Sequence, residues 1–321
     1  MRNAFAAEIT AIAPEMDTLV LLSGDIGNRL FDKYKERCPD RFINCGVAEP
    51  NMITMAAGMA MSGLRPVAYT IASFITTRCL EQIRVDVCGH HAPVVIVGTG
   101  AGFSYAANGI THHACEDIAI LRMMPGMTVV CPGDAMEVRQ AIRAALRHDG
   151  PVYVRLGKKG EPVVHQTAPD LVLGRALTLR TGEDVCLLST GNMLPTAVQI
   201  ADNLAERNIA AGVVSLHTVK PLDENFLREA FSRHKLMVTL EEHSRMGGLG
   251  GAVAEWITDH DSVTARLLRI GSSDDFLHEA GGQGYARERM GLTPDAITEK
   301  IENALRRIDG AAEPAPVGSD I

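Results

Sequence analysis

The regular alternation of short apolar runs with longer helical patterns most restricts how this chain can fold. Residues 94–97 form a continuous run of Val and Ile, as expected for a strand buried on both faces of a sheet. Helical patterns flank that run at residues 73–88 and 115–123. Because neighbouring parallel strands need a crossover connection, this alternation predicts an α/β fold built on parallel sheets.

The alternation occurs twice, which predicts two parallel-sheet α/β domains in the 321-residue chain. In the first half the predicted strands are residues 18–22, 41–45, 67–71, 94–97, 127–130 and 151–156, and the predicted helices are residues 48–62, 73–88, 115–123 and 135–147. In the second half the predicted strands are residues 185–189, 212–216, 236–240 and 266–270, and the predicted helices are residues 194–207, 223–232 and 250–259. Asp134 is placed to cap the helix at residues 135–147.

The periodic pattern stops at residues 157–170, where Gly and Pro are frequent. We therefore predict a first domain at residues 1–160, a linker at residues 161–170 and a second domain at residues 171–310. Residues 311–321 are rich in Ala, Pro, Gly and Ser and are predicted to be a disordered tail.

Charge and composition exclude several classes of function. The net charge is −8 and no basic run occurs, so nucleic-acid binding is not expected. The chain has no run of 18 apolar residues and no apolar leader, so neither a membrane span nor a signal peptide is expected. The seven cysteines stand singly, without CxxC spacing, and are predicted to be reduced thiols of a cytoplasmic protein.

One predicted helix, at residues 51–62, is apolar on every side and has small residues between four methionines. Such a helix is expected to be buried all round. The pattern leaves two interpretations open, a helix in the core of one chain or a helix at an interface between subunits.

A glutamate lies between a strand end and this apolar helix, in Gly46-Val47-Ala48-Glu49-Pro50-Asn51-Met52. This stretch resembles the pyrimidine-binding domain of the transketolase family. Further first-half matches follow in order: Ser23-Gly24-Asp25, Phe74-Ile75-Thr76-Thr77-Arg78, Asn108-Gly109-Ile110-Thr111-His112 and Glu116-Asp117-Ile118-Ala119. The second half resembles the family's C-terminal domain at Val219-Lys220-Pro221-Leu222-Asp223, Glu241-Glu242-His243 and Gly291-Leu292-Thr293-Pro294. The resemblance runs from about residue 15 to residue 308.

The resemblance implies thiamine diphosphate as cofactor and assigns residues to it. Glu49 matches the catalytic glutamate that hydrogen-bonds a pyrimidine ring nitrogen, and Phe74 matches the phenylalanine that stacks on the pyrimidine. Asp25 matches an acidic residue near the thiazolium, and Ile71 stands where a second aromatic usually contacts the pyrimidine. From the residues alone, Glu49, Phe74 and Asp25 could also be a helix-start carboxylate, a core aromatic and a turn residue.

The resemblance also assigns substrate contacts. His112 matches the catalytic histidine that hydrogen-bonds the substrate oxygens, a role that suits imidazole near neutral pH. Asn108 stands where an aspartate reads a substrate hydroxyl, and Arg29 stands where a serine contacts phosphate. Arg155 matches the phosphate-binding arginine, so Arg29 and Arg155 are expected to form an anion site. Gly100 replaces a second histidine and is expected to leave open space.

The chain lacks the Gly-Asp-Gly motif with which the family holds magnesium. The resemblance therefore implies the C-terminal subunit of a split, two-gene transketolase. An N-terminal partner with Gly-Asp-Gly and a following Asn would bind Mg²⁺ and the diphosphate, and the assembly would be an α2β2 heterotetramer. No metal ligands are assigned to this chain, because His112, His113 and Cys115 lack zinc-site spacing.

The expected reaction is transfer of a two-carbon ketol unit from a ketose to an aldose, with an unusual, anionic sugar as substrate. Alternatives are the β subunit of a 2-oxo acid dehydrogenase E1 component, an enzyme like 1-deoxy-D-xylulose-5-phosphate synthase, or a cofactor-free interaction subunit. The stretch from Thr111 to Ala119 favours a transketolase. The presence of Glu49, Phe74 and His112 argues against a cofactor-free subunit.

Overall fold

A computed structural model describes residues 1–27, 29–260 and 264–310. It contains two β-sheets with helices packed against them, which confirms the predicted α/β class and the two parallel-sheet units. The predicted tail at residues 311–321 lies outside the described residues. Within the described part of the chain, none of the helices has the length and hydrophobicity that crossing a bilayer requires.

The elements follow each other along the chain as the alternation predicts. The strands are β1 (Leu19–Ser23), β2 (Phe42–Asn44), β3 (Arg65–Ile71), β4 (Val95–Thr99), β5 (Thr128–Val130), β6 (Val152–Leu156), β7 (Leu177–Arg180), β8 (Val185–Ser189), β9 (Ala211–Ser215), β10 (Thr218–Lys220), β11 (Leu236–Ser244) and β12 (Arg266–Ser272). The helices are α1 (Arg2–Ile12), α2 (Asp32–Arg37), α3 (Glu49–Met61), α4 (Ala72–Thr77), α5 (Leu80–Gln82), α6 (Asp117–Arg122), α7 (Ala135–Arg147), α8 (Leu194–Ala205), α9 (Glu224–Arg233), α10 (Leu249–Thr258), α11 (Gln283–Arg289) and α12 (Pro294–Gly310).

Both sheets are parallel in their interior and antiparallel at one edge. The first sheet has the strand order β10-β5-β6-β4-β3-β1-β2, and the second has the order β12-β11-β8-β9-β7. The antiparallel strands are β10, which pairs with β5, and β7, which pairs with β9. Strands β1, β4 and β6 are buried along their whole length, as expected for strands covered on both faces.

The sequence did not predict strand β10, and it connects the two units. It comes from the second half of the chain but pairs with β5 of the first sheet, with Thr218 opposite Val130. One hydrophobic cluster also contains residues from both halves, among them Val129, Leu216 and Val219. The two units therefore share both a sheet and part of a core.

Helix α3 is buried on one face only, so the expectation of burial all round is wrong for the single chain. Met52, Ile53 and Ala56 pack in the core, whereas Gly58 and Met61 face solvent and Met61 is 58% exposed. The interpretation of α3 as an interface helix therefore remains open.

The helix predicted at residues 73–88 is broken into three parts. Helix α4 ends at Thr77, the short helix α5 follows, and a π-helical turn covers Ile83–Cys88. Such π-turns are frequent at functional sites. The break places Arg78 directly after α4, where its side chain can fold back over Phe74.

Two smaller predictions are confirmed. The carboxylate of Asp134 caps α7 by accepting hydrogen bonds from the backbone N–H groups of Met136 and Glu137, at 2.8 and 2.9 Å. All seven cysteines are free thiols.

Candidate functional site

The residues predicted to hold the cofactor lie around the carboxyl ends of the strands of the first sheet. Asp25 follows β1, Glu49 begins α3 after β2, and Ile71 is the last residue of β3. Phe74 lies in α4, which follows β3 directly. Ligands of open α/β sheets bind outside the carboxyl ends of strands. This edge of the first sheet is therefore where a ligand is expected.

Glu49 is a buried carboxylate at the N-terminus of a 13-residue helix. Only 4% of the residue is exposed. Its Oε2 atom accepts a hydrogen bond from Nη1 of Arg78 at 3.2 Å. The helix N-terminus and the guanidinium both favour a negative charge at this position.

Arg78 also lies on Phe74. The centre of its guanidinium is 3.9 Å from the centroid of the Phe74 ring. Phe74 itself is half-buried and lines a cavity of about 480 Å³ together with Thr77 and Arg78. Arg78 therefore connects the carboxylate of Glu49 with the face of an accessible aromatic ring. In sequence Arg78 only completes the motif that begins at Phe74, and nothing there assigned it a role.

His112 stands against the same aromatic ring. The centroids of the His112 and Phe74 rings are 5.1 Å apart, with an angle of 64° between their planes. Nδ1 of His112 is 3.0 Å from the Thr111 hydroxyl. Burial, and then the positive charge of Arg78, lower the pKa of His112. The imidazole is therefore neutral at pH 7 and can accept or donate a hydrogen bond.

The other two predicted cofactor residues lie at the same sheet edge without joining this cluster. Asp25 is exposed and accepts a hydrogen bond from Nδ2 of Asn44 at 3.1 Å. Ile71 is buried, with 8% exposure, where β3 passes into α4.

Two of the predicted substrate residues are on the surface. Arg29 is 96% exposed along its side chain, and its Nε lies 3.8 Å from Asp32. Asn108 is exposed at the end of a short 3₁₀ turn, Ala106–Asn108. Neither contacts Glu49, Phe74 or His112 among the described residues.

The space expected beside Gly100 is filled. A Cβ atom on Gly100 would lie 2.3 Å from Cδ2 of Tyr105, so the Tyr105 ring covers this glycine. The Tyr105 ring also stands edge-on to His112, with centroids 6.5 Å apart. Tyr105, which no sequence motif singled out, therefore forms a wall beside His112.

The assignment of Arg155 to substrate binding is contradicted by its burial. Its side chain has no exposed surface and pairs with Asp117, with Nε 2.8 Å from Oδ2. Nη2 donates to the carbonyl oxygens of Ala114 and Glu242, at 2.7 and 3.0 Å. Because Glu242 lies in the second unit, Arg155 joins the two units and cannot reach a substrate. Arg29 and Arg155 thus form no common anion site.

Lysines that follow β6 are better placed than Arg155 to meet an anion. Strand β6 ends at Leu156, and the next cationic residues are Lys158, which is half-buried, and Lys159, which is exposed. Across the described part of the chain, no group of three or more His, Cys, Asp or Glu side chains is arranged to hold a metal ion.

Family models match most of the chain. Residues 1–161 match the transketolase pyrimidine-binding domain, and residues 174–297 match the transketolase C-terminal domain.

Curated relatives agree with these models. A 6-deoxy-6-sulfo-D-fructose transketolase subunit from Clostridium sp. (strain MSTE9) is 35% identical, over 96% of this chain and 95% of its own length. One of the two subunits of an apulose-4-phosphate transketolase from Phocaeicola vulgatus is 34% identical, over 84% of this chain and 86% of its own length. By contrast, 1-deoxy-D-xylulose-5-phosphate synthases match over less than half of their own length.

A solved structure supports the same assignment. It is described as a split gene transketolase, an inactive β4 tetramer, and it superposes with a TM-score of 0.85 at 33% identity. The superposition covers 95% of this chain and 97% of that chain. The chain therefore belongs to the transketolase family and corresponds to the C-terminal section that split transketolases carry as a separate subunit.

Proposed function

We propose that this chain is the pyrimidine-binding subunit of a thiamine-diphosphate-dependent transketolase that transfers a two-carbon ketol unit from a ketose to an aldose. The observation that carries the proposal is the cluster of Glu49, Arg78, Phe74 and His112 at the carboxyl edge of the first sheet. When bound, the cofactor supplies the nucleophilic carbon and the electron sink that ketol transfer requires.

The residues present fit the pyrimidine of this cofactor. The Arg78 guanidinium is planar and carries N–H groups, and it both hydrogen-bonds Glu49 and lies on the face of Phe74. A planar, nitrogen-bearing ring can use the same carboxylate and the same aromatic face. Arg78 is 46% exposed along its side chain, so it can swing towards solvent to make room.

Each side chain then has a defined task. Glu49 holds a proton between its carboxylate and a pyrimidine ring nitrogen, which sets the tautomer of the cofactor. Phe74 fixes the plane of the pyrimidine, and Ile71 and Asp25 flank the cofactor at the ends of β3 and β1. His112, neutral at pH 7, hydrogen-bonds the substrate oxygens.

The second half of the site belongs to a partner subunit in this proposal. No Gly-Asp-Gly occurs in the chain, so Mg²⁺ and the diphosphate would be held by the N-terminal transketolase subunit. The solved relative described as an inactive β4 tetramer supports the need for a partner. The exposed apolar residues Val47 (79%) and Met61 (58%), next to and on α3, support an α2β2 assembly in which α3 lies at an interface. The free thiols support a cytoplasmic location.

Reconstitution tests this proposal. The purified chain alone is expected to show no ketol transfer and no tight, magnesium-dependent binding of thiamine diphosphate, because it lacks the magnesium motif. Adding the N-terminal subunit is expected to restore both, as measured by calorimetry and by a coupled assay for the aldose product. Light scattering should then give the mass of two copies of each chain. Tight binding by the single chain, or an active one-to-one heterodimer, would contradict the split assembly.

We further propose that the substrate is an anionic sugar other than the common pentose phosphates. The named substrates of two relatives, one a sulfo sugar and one a sugar phosphate, support an anionic end. The wall formed by Tyr105 at Gly100 and the neutral Asn108 are the features of this chain that would change its selectivity.

Lys158 is the residue to test for the anionic end. In the reconstituted enzyme, Lys158→Gln is expected to raise KM about tenfold for phosphorylated or sulfonated acceptors, since a charge-assisted hydrogen bond is lost. KM for glyceraldehyde should stay the same, and the exposed Lys33→Gln serves as the matched control. Highest kcat/KM for ribose 5-phosphate, or equal effects on charged and neutral acceptors, would contradict this part of the proposal.

A further inference from the structure

A second cavity, of about 310 Å³, lies between the two units. It opens at the carboxyl ends of β11 and β12 of the second sheet, where Ser244 and Ser272 end their strands. Helix α6 and the loop after β4 close its other side. Ligands of doubly wound sheets bind at this end of the strands, and the volume suits a small organic molecule.

The cavity is separate from the cofactor cluster. Neither Glu49, Phe74 nor His112 belongs to its lining, nor does any other residue assigned above to cofactor or substrate. The two cavities are nonetheless neighbours, because both are lined by the same four residues, His113, Glu116, Ile120 and Phe276.

The wall of the cavity is largely apolar. Phe103 and Leu277 form a buried part, with exposures of 2% and 5%. Its rim carries three large side chains that are exposed to solvent, Met123 (68%), Met246 (57%) and Phe276 (61%). Single exposed apolar residues are common, but three around one opening are what a binding site presents.

His113 gives the cavity a buried polar group that lacks a partner. The residue is 6% exposed, and its Nε2 has no hydrogen-bond partner within the described residues. The ring is held by a hydrogen bond with the backbone of Ala106 and by an edge-on contact with Phe103, with centroids 5.3 Å apart. An unpaired buried polar atom is costly and calls for an explanation. Burial lowers the pKa of His113, so the ring is neutral and its unpaired nitrogen can accept a hydrogen bond.

The charges around the cavity select the sign of its ligand. Glu116, Asp274 and Asp275 contribute carboxylates, whereas the lining contains no Lys or Arg among the residues that the structure describes. An anion such as a sugar phosphate would be repelled here. A cation gains from the three carboxylates, and an N–H group on it can pair with Nε2 of His113.

We propose that this cavity is a second ligand site, which binds a small organic amine with an aromatic or other apolar body. The amine donates to Nε2 of His113 and lies near the carboxylates of Glu116, Asp274 and Asp275. The apolar body packs against Phe276 and Met123. The site does not depend on the proposed transferase activity, because neither cofactor nor partner subunit contributes to it.

A matched pair of probes tests the site on the full chain. Tryptamine and indole-3-propionate carry the same ring and opposite charges at pH 7. Tryptamine is expected to bind saturably, with a Kd on the order of 1 mM for a ligand of this size, as followed by NMR line shifts. Indole-3-propionate is expected to bind at least about tenfold more weakly, since it faces three carboxylates.

Variants of the chain then identify the cavity. His113→Phe keeps a ring against Phe103 and is expected to weaken tryptamine binding about tenfold, because the acceptor is lost. Phe276→Ala changes an exposed side chain and should weaken binding without affecting the fold. His90→Phe, at an exposed histidine elsewhere, is the control and should bind as the original chain does. Equal affinity for both probes, no saturable binding of tryptamine, or unchanged binding by both cavity variants would overturn the proposal.

Discussion

Glu49→Gln is expected to leave the fold intact and to lower kcat of the reconstituted enzyme by about 10²–10⁴-fold, the usual contribution of a proton-transfer group. Glutamine has the same shape but cannot hold the proton that Glu49 shares with the pyrimidine. The fold should tolerate the change, because the cation that Glu49 pairs with, Arg78, is 46% exposed and can be solvated instead. Thermal melts and steady-state rates measure the two effects.

A matched control separates loss of catalysis from general damage. Glu81 is an exposed glutamate in the short helix α5, which follows the helix that carries Phe74. Glu81→Gln should leave both kcat and melting temperature unchanged. A fall of less than tenfold in Glu49→Gln would show that this carboxylate has no catalytic role and is a helix-start residue instead.

Arg155→Ala is expected to lower the free energy of unfolding by about 3–5 kcal/mol, as is typical when one partner of a buried ion pair is removed. The change leaves the buried carboxylate of Asp117 without its cation, and the carbonyl groups of Ala114 and Glu242 lose a donor. Tyr153 still donates to Asp117, at 2.6 Å, but a hydroxyl does not neutralise its charge. Denaturant unfolding of the purified chain measures this loss.

The control for Arg155 is an arginine in an exposed ion pair. Arg180 pairs with Asp202, with side chains 40% and 59% exposed. Arg180→Ala should cost less than about 1 kcal/mol, the usual value for a surface pair. If Arg155→Ala unfolds like the original chain but raises KM for charged acceptors in the reconstituted enzyme, the original assignment of Arg155 to substrate would be restored.

The strands were predictable because burial on both faces leaves a continuous apolar run. The predicted strand at residues 94–97 and the helix at residues 135–147 correspond to β4 and α7 within two residues at each end. Strand β10 escaped prediction because it has only three residues, and its partner β5 lies in the other half of the chain. Nothing local marks such a pairing, which depends on how the two units meet.

The candidate site was predictable where the chemistry is local to a motif. Glu49, Phe74 and His112 come together as the resemblance implied, although the structure tests only their arrangement. Arg155 failed because a strand-end arginine looks the same in sequence whether it faces a ligand or a buried carboxylate 38 residues away. Gly100 failed for a similar reason, since the Tyr105 ring that covers it returns from a later turn of the same loop.

The pairing of β10 with β5 bears on how this protein can be recombined. Without residues 218–220, β5 would become an open edge whose buried Thr128, Val129 and Val130 face solvent, and open edges invite aggregation. A chimera that transplants only the first domain of this chain into a homologue would create that edge. The smallest portable module is therefore not the pyrimidine-binding domain alone but the domain together with the segment that completes its sheet.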